Sequence, residues 1–387
     1  MELLTSAMLR RYAYFSSLSD GALDTLSKRL KVLELPAGAQ VIEEGTPAAS
    51  FYFVAHGEVE VSKRTKWGHT AKLSVVNMGE GFGEVALLTC LSRSSSVRAR
   101  TSVRLYALTK ADFDEVLLCE SCFAGMLQKR IEDYAHYNQI KMLQPFALLE
   151  PEKIPAITTK LVEKTYSPGQ DIIVQGEKGD AYYIVKSGRV AVLVKESNAA
   201  SPEQVAVLNA GEAFGEEALI RDKPRNATVR TLEPTTVLAL TKADFDRLLM
   251  ASYVDYAYAE DIPAEEMNRY VFIDARIQPE YEEEHIAGAV NIPLEVLRQK
   301  YTELEPTLEY LTYCTNDSRG TAAAFLLRSH GFKAKSIRGG LSAWEGPVTS
   351  GPEGVYLPKN DETPGYTNAV ERHSEMETGL PPSRRDQ

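Results

Sequence analysis

Phe214 to Val229 reads FGEEALIRDKPRNATV, and Phe82 to Val97 reads FGEVALLTCLSRSSSV. Gly215, Glu216, Ala218, Leu219 and Arg225 stand at the same internal spacing as Gly83, Glu84, Ala86, Leu87 and Arg93. Each stretch is a plan for holding one small phosphate ester. A glycine ahead of a short helix lets the backbone approach a ligand closely, and the free N–H groups of the first turn point at an anion. The arginine can return a charge-assisted bond to the phosphate. The glutamate would be repelled by a phosphate, so it suits a neutral donor such as a ribose 2'-hydroxyl. For one such stretch, a surface Glu–Arg pair is the plainer explanation, since exposed pairs contribute little. Recurrence argues against it.

The repetition extends further. ALTKADFDEVLL from Ala107 matches ALTKADFDRLLM from Ala239 at the same offset, so the chain carries an internal duplication. Both copies resemble the phosphate-binding cassette of the cyclic nucleotide-binding domain family, over roughly the first 250 residues. The resemblance implies that Glu84 and Glu216 bind the ribose 2'-hydroxyl, and that Arg93 and Arg225 bind the exocyclic phosphate oxygens. The N–H groups of Gly83, Ala86, Gly215 and Ala218 would line the two pockets. Phe82, Ser94 and Ser95 complete the first candidate site, and Phe214, Asn226 and Ala227 the second. The implied ligand is cyclic AMP or cyclic GMP, with no covalent cofactor and no metal. In the family a hydroxyl after the arginine can favour guanine, so Ser94 points to cyclic GMP tolerance in the first site; cyclic AMP is the expectation for the second.

Composition sets the outer bounds. A chain of 387 residues suggests two to three domains, and 44% hydrophobic with 25% charged residues is the balance of an ordinary soluble protein. The net charge of -11 argues against nucleic acid as the main partner, because phosphate neutralisation needs a basic face. No apolar run approaches a membrane span, and the opening MELLTSAMLRRYAYF lacks the order of a signal peptide. A cytoplasmic, bacterial protein is the expectation. The four cysteines, Cys90, Cys119, Cys122 and Cys314, form no disulfide framework.

In chain order, residues 1 to about 35 read as helical, with Ser19 as an N-cap and Pro36 and Gly38 as the stop. QVIEEG, SFYFVAHGEVEVSKR, KLSVVNMGEG and VRARTSVRLYAL then read as short strands of a sandwich or jelly roll. Thr109-Lys-Ala-Asp112 opens a closing helix by its cap spacing, and Thr241-Lys-Ala-Asp244 opens the second. Cys119-Glu-Ser-Cys122 has redox or zinc spacing, but no second ligand pair accompanies it and a helix, not a strand, precedes it; both thiols read as structural.

Past Tyr256 a connection, AYAEDIPAEEMN, leads to a different alternation. YVFID, LEYLTYC and KSIRGG read as strands and TAAAFLLRSHGF as a helix stopped by Gly331, which is an α/β pattern. Cys314 lies between a strand end and a helix start, where backbone N–H groups stabilise a thiolate, and Arg319 adds a positive charge. Thr315, Asn316, Asp317 and Ser318 complete a loop suited to sulfur or phosphate transfer.

This region resembles the rhodanese family of sulfurtransferases. The likeness rests on that loop, Asp274-Ala-Arg276, Glu280-Tyr281, His285-Ile-Ala-Gly-Ala289, Asn291-Ile-Pro293 and Gly339-Gly-Leu-Ser-Ala-Trp344. It implies that Cys314 takes sulfur from a donor such as thiosulfate or a persulfide and passes it to a thiol acceptor, with Arg319 stabilising the anion. The loop has the sulfurtransferase length, which disfavours phosphatase action. Asp317 departs from the family, where many active members have glycine; glycine tolerates positive φ and aspartate is among the next best, so the loop can still form, but its carboxylate is expected to oppose a thiolate and repel anionic donors.

The expected organisation is a multidomain α+β and α/β chain. Two β jelly-roll cyclic nucleotide-binding domains with flanking helices span 1–137 and 138–257, a rhodanese α/β domain spans 258–349, and 350–387 is a disordered tail. The expected function is a cyclic nucleotide receptor regulating a sulfurtransferase. The competing reading is a binding protein without turnover that uses the rhodanese fold as an interaction or redox-sensing module. A kinase regulatory subunit would also carry tandem sensors, but residues 1 to 15 leave little room for a docking segment. A homodimer or a protein partner stays open.

Overall fold

The computed structural model describes residues 5–119, 121–195, 200–352 and 354. The side chains of Cys119 and Cys122, and the tail beyond Gly354, lie outside the described residues. The chain divides into two compact units between Thr158 and Thr159.

The first unit is built on two antiparallel four-stranded sheets. One runs Lys31–Leu35, Val103–Thr109, Ser50–His56, Gly81–Phe82; the other runs Gln40–Ile42, Ser96–Ala99, Val59–Arg64, Thr70–Val76. Their inward side chains, among them Val54, Val59, Val97 and Leu105, form one apolar cluster. Helix Asp20–Arg29 packs outside, and the Ser19 hydroxyl accepts from Ala22 N at 3.2 Å as its cap. That helix does not continue to residue 35 as expected. Leu30 turns extended, and Lys31–Leu35 pairs with the open edge of Val103–Ala107. Ladder hydrogen bonds to a waiting edge outweigh a weak helical pattern.

Helices Lys110–Cys119 and Ser121–Lys141, the second of them long, follow the first sandwich. Lys141 ends the long helix, fully buried, with Nζ donating to the carbonyls of Phe146, Ala147 and Leu149 at 2.7 to 2.8 Å. Burial pushes its pKa down to about 8, yet three carbonyls around one amine leave none of them orphaned. This knot fixes the end of the helix that lines the first candidate site.

The second unit repeats the sandwich strand for strand. Val162–Tyr166, Thr235–Thr241, Ala181–Ser187 and Ala213–Phe214 make one sheet, and Asp171–Ile173, Thr228–Thr231, Arg189–Val194 and Glu203–Asn209 the other. Its closing helix is short. Lys242–Phe245, capped by Thr241, passes through a π-helical turn at Asp246–Met250 and stops at Tyr253.

The chain then enters a five-stranded parallel sheet ordered Tyr256–Ala257, Lys333–Ile337, Glu309–Tyr313, Val271–Asp274, Val290–Asn291. Tyr256–Ala257, the junction the sequence suggested as a plain connection, is therefore the edge strand of the third domain. Helix Ser318–Ser329 covers this sheet and also meets the second sandwich. Phe325 lies 5.4 Å from Phe245 and 5.7 Å from Tyr253 between ring centres, and Ile220 packs on the third domain's core. Such aromatic pairs contribute about 0.5–1.5 kcal/mol each beyond their buried area. The half-exposed Arg328–Asp255 pair at 2.6 Å adds at most about 1 kcal/mol, so apolar contact decides this junction.

Candidate functional site

In both sandwiches a glycine in left-handed backbone starts the cassette helix: Gly83 (φ 87) before Glu84–Thr89, and Gly215 (φ 92) before Glu216–Ile220. A side chain there would be strained, and its Cβ would lie 2.9 Å from Arg93 Nη1 or 2.7 Å from Arg225 Nη1. The arginines are buried and held by backbone carbonyls. Arg93 donates to Gly83 O and Ser50 O, and Arg225 to Gly215 O and Ala181 O, with Asp180 Oδ1 at 3.2 Å. Each guanidinium is thereby fixed in place, and its five N–H groups exceed the bonds it makes there.

The glutamates carry the more informative feature. Glu84 and Glu216 are 4% and 6% exposed, and the Oε2 atom of each has no hydrogen-bond partner among the described residues. A buried carboxylate oxygen without a donor costs about 1–3 kcal/mol or more, so both sites are built for a donor that arrives from outside. Burial holds the Glu84 carboxyl above its ordinary pKa; its own backbone bond, Arg130 and Arg93 compensate only in part.

The first site opens into a cavity of ≈ 100 Å³ lined by Phe82, Gly83, Glu84, Ala86, Arg93, Ser94 and Ser95, with Ile42, Val61, Leu73, Val76 and Val97 as an apolar wall. All seven residues expected from the sequence meet here. The long helix adds polar residues that were not expected: Arg130, Tyr134 and Asn138 line the same cavity. Their i, i+4, i+8 spacing puts them on one helix face, which is a readable signal once the helix is known to turn back on the sandwich.

The second site has a different wall. Phe214, Gly215, Glu216, Ala218 and Arg225 sit as their counterparts do, and Ala227 is buried. Asn226 is spent within the cassette, its Nδ2 donating to Glu217 Oε2 at 2.9 Å. Glu217, where the first copy has Val85, also pairs with Arg221 at 2.6 Å. The cation at Glu216 comes from the third domain: Arg298 of helix Leu294–Lys300 lies 2.6 Å from Glu216 Oε1 and 3.6 Å from Glu217 Oε2. Burial opposes the guanidinium charge, and the two carboxylates outweigh it. No sequence signal marks Arg298, which stands in an ordinary amphipathic helix.

In the third domain the quoted motifs serve as scaffolding for the Cys314 loop. Arg276 pairs with Asp274 at 2.6 Å inside the core, and Asn291 Nδ2 donates to the carbonyls of both. His285 stacks on Tyr281 with ring centres 3.6 Å apart. The Gly339–Trp344 segment clamps the loop. Leu341 N donates to Cys314 O, Ser342 N to Thr315 O, and Gly340 approaches so closely that a Cβ would meet Cys314 O and Asn316 O at 2.3 Å.

Two expectations for this loop are corrected. Asp317 has φ -82, a helical value any residue adopts, so its place does not call for glycine. Its carboxylate accepts from Gly339 N at 2.6 Å and faces Arg338 at 3.6 Å, which ties it into the clamp and offsets its charge. Arg319 is held by Glu280 through two bonds of 2.6 and 2.7 Å, so its charge is already matched. That pairing also holds the Glu280 carboxyl below its usual range. Cys314 is 1% exposed, and its thiol donates to Asn316 O at 3.0 Å. Asn316 Oδ1 accepts from Ser318 N, the first residue of the following helix, at 3.2 Å. The sulfur is thus enclosed and faces a backbone carbonyl, so the loop is closed over it.

Comparison with known proteins follows the same division. Residues 32–118 and 163–252 match the family model of the cyclic nucleotide-binding domain, and residues 260–347 match that of the rhodanese-like domain. A cGMP-dependent protein kinase of Eimeria tenella is 30% identical over 236 residues, 60% of this chain and 22% of that protein. A cAMP-dependent protein kinase regulatory subunit of Yarrowia lipolytica is 32% identical over 236 residues, 61% of this chain and 58% of that protein. The chain thus spans less than two thirds of either relative. The solved regulatory domain of Toxoplasma gondii PKA with cAMP is 27% identical, covering 63% of this chain and 90% of that one, with a TM-score of 0.29. These relatives are eukaryotic, and the expected bacterial source draws no support from them. No helix among the described residues is long and apolar enough to cross a membrane.

Proposed function

Since the chain carries two cyclic nucleotide-binding domains followed by a rhodanese-like domain, we propose that it is a cyclic nucleotide receptor whose ligand state controls the Cys314 domain. The observation that carries this reading is the orphaned carboxylate oxygen repeated in both cassettes, Glu84 Oε2 and Glu216 Oε2, each in a cassette with a buried arginine. A hydroxyl donor and an anion on one small ligand are what these two groups lack, and a cyclic nucleotide supplies both. Relatives named for cAMP and for cGMP both align with this region, so cyclic AMP and cyclic GMP are the ligands to test.

The proposed output is sulfur transfer in the cytoplasm. The Cys314 thiolate attacks the outer sulfur of thiosulfate, the S–S bond breaks, and sulfite leaves with the bonding electron pair, giving a persulfide. An acceptor thiolate then attacks the terminal sulfur, carries it away as its own persulfide, and restores the Cys314 thiolate. The closed loop must first rotate Asn316 O away from the sulfur, a natural point for control. That same closure, with Arg319 matched by Glu280, favours a second reading in which the domain binds a protein partner and turns nothing over.

Intact-mass measurement after exposure to thiosulfate or a small-molecule persulfide, with and without each cyclic nucleotide, separates these readings. A gain of one sulfur that is absent in Cys314→Ala supports transfer. No gain with any donor leaves the interaction module. A gain indifferent to nucleotide leaves an enzyme and removes the control.

A further inference from the structure

Helix Leu294–Lys300 is rooted in the rhodanese-like domain, where Leu294 and Leu297 are fully buried in the core. Arg298, one residue past Leu297, is half-buried against the second cassette instead. There it meets two carboxylates, Glu216 and Glu217, side by side and each 6% exposed. Adjacent buried carboxylates need counter-charge. Arg221 and Asn226 supply partners to Glu217, whereas Arg298 is the cation that contacts Glu216 among the described residues. With Oε1 held by Arg298, the Glu216 carboxylate plane is fixed and the unpartnered Oε2 is left to face a ligand.

We propose that Arg298 is a positioning residue of the second nucleotide site: by gripping Oε1 it aims Oε2 at the ribose 2'-hydroxyl, so the rhodanese-like domain completes the site. The proposal rests on the nucleotide-binding reading above and deepens it. Because binding couplings are reciprocal, a nucleotide that needs Glu216 aligned also holds helix Leu294–Lys300 against the cassette. The junction already carries apolar packing through Ile220 and Phe325, so Arg298 adds selectivity to a contact that other residues hold together.

The test uses the full chain with Arg93→Ala to silence the first site, and two probes, cyclic AMP and its 2'-deoxy analogue. Arg298→Met is expected to weaken cyclic AMP roughly 5- to 50-fold and the deoxy analogue by less than about twofold, because the analogue has no hydroxyl for Oε2 to receive. Arg298→Lys keeps the charge but not the fork that spans both glutamates, and should recover part of the cyclic AMP affinity without changing the analogue. Equal losses for both probes would reassign Arg298 to general docking and overturn the proposal. No loss, or tighter cyclic AMP binding, overturns it too, the latter by making Arg298 a plug. A parent that binds neither probe, at any concentration where Arg225→Ala also fails, removes the nucleotide reading itself.

Discussion

The two cassettes are near copies in sequence and backbone, yet the charge beside each glutamate comes from a different place. In the first sensor Arg130 faces Glu84 from the long helix Ser121–Lys141, which belongs to the same unit. In the second sensor the closing helix ends at Tyr253, and Arg298 of the rhodanese-like domain stands beside Glu216. Position 217 reinforces the difference, since Glu217 helps hold Arg298 and Val85 in the first copy could not. Duplication conserved the cradle and left its lid to be supplied locally. Under the proposed reading, a sensor whose lid is its own helix would report to itself, and one whose lid is another domain would report to that domain.

The largest expected effect is loss of the phosphate partner. Arg93→Ala and Arg225→Ala should each weaken their own site roughly 100-fold or more, since a charge-assisted pair and two backbone anchors go together. Calorimetric titration would show one site lost in each variant. The comparison is sharpened by their unequal consequences: Arg225→Ala should abolish any nucleotide effect on Cys314, and Arg93→Ala should leave most of it. The reverse ranking would place control in the first sensor.

Next in size is Arg130→Met, the counterpart of the Arg298 substitution. It should weaken first-site binding by about tenfold and leave Cys314 reactivity to a small alkylating reagent unchanged. A matching change at Cys314 would erase the distinction between a local lid and a domain lid. Glu217→Val puts the first copy's residue into the second. With one of Arg298's two partners gone, affinity at the second site should fall by about threefold, in keeping with a partly exposed ion pair.

What was legible in the chain follows the range of the interactions. The cassettes were readable because glycine, glutamate and arginine lie within one short stretch and occur twice. The parallel sheet was readable from its alternating strands and helices. Lys31–Leu35 was not, because Val32, Leu33 and Leu35 fit either period and only the distant edge of Val103–Thr109 decides between them. Tyr256–Ala257 is too short to announce itself as a strand. Arg298 reaches its partners across a domain junction, and the partnerships of Asp317 and Arg319 depend on Gly339 and Glu280, which lie well outside their loop.

A separate expected effect, on stability rather than affinity, concerns Glu84 in the absence of ligand. Its folded pKa is raised by burial, so the folded protein binds the proton more tightly than the unfolded chain. Stability therefore falls as pH rises from the ordinary carboxylate range through the raised value, and the full penalty is present above it. Glu84→Gln should stabilise the unliganded protein at neutral pH by about 1 kcal/mol while weakening nucleotide binding, with the stability gain fading below the ordinary carboxylate pKa. Thermal melts across pH would show this, and a gain that persists in acid would assign it to packing instead.

On the proposed reading, the second sensor and the Cys314 domain share one ligand-dependent contact. Hydrogen exchange along helix Leu294–Lys300, with and without saturating cyclic AMP, tests it most directly. The expected result is slower exchange with nucleotide in the native chain and in Arg93→Ala, and no change in Arg225→Ala. Exchange that is indifferent to nucleotide in the native chain, or that slows equally in Arg225→Ala, would rule out such a shared contact.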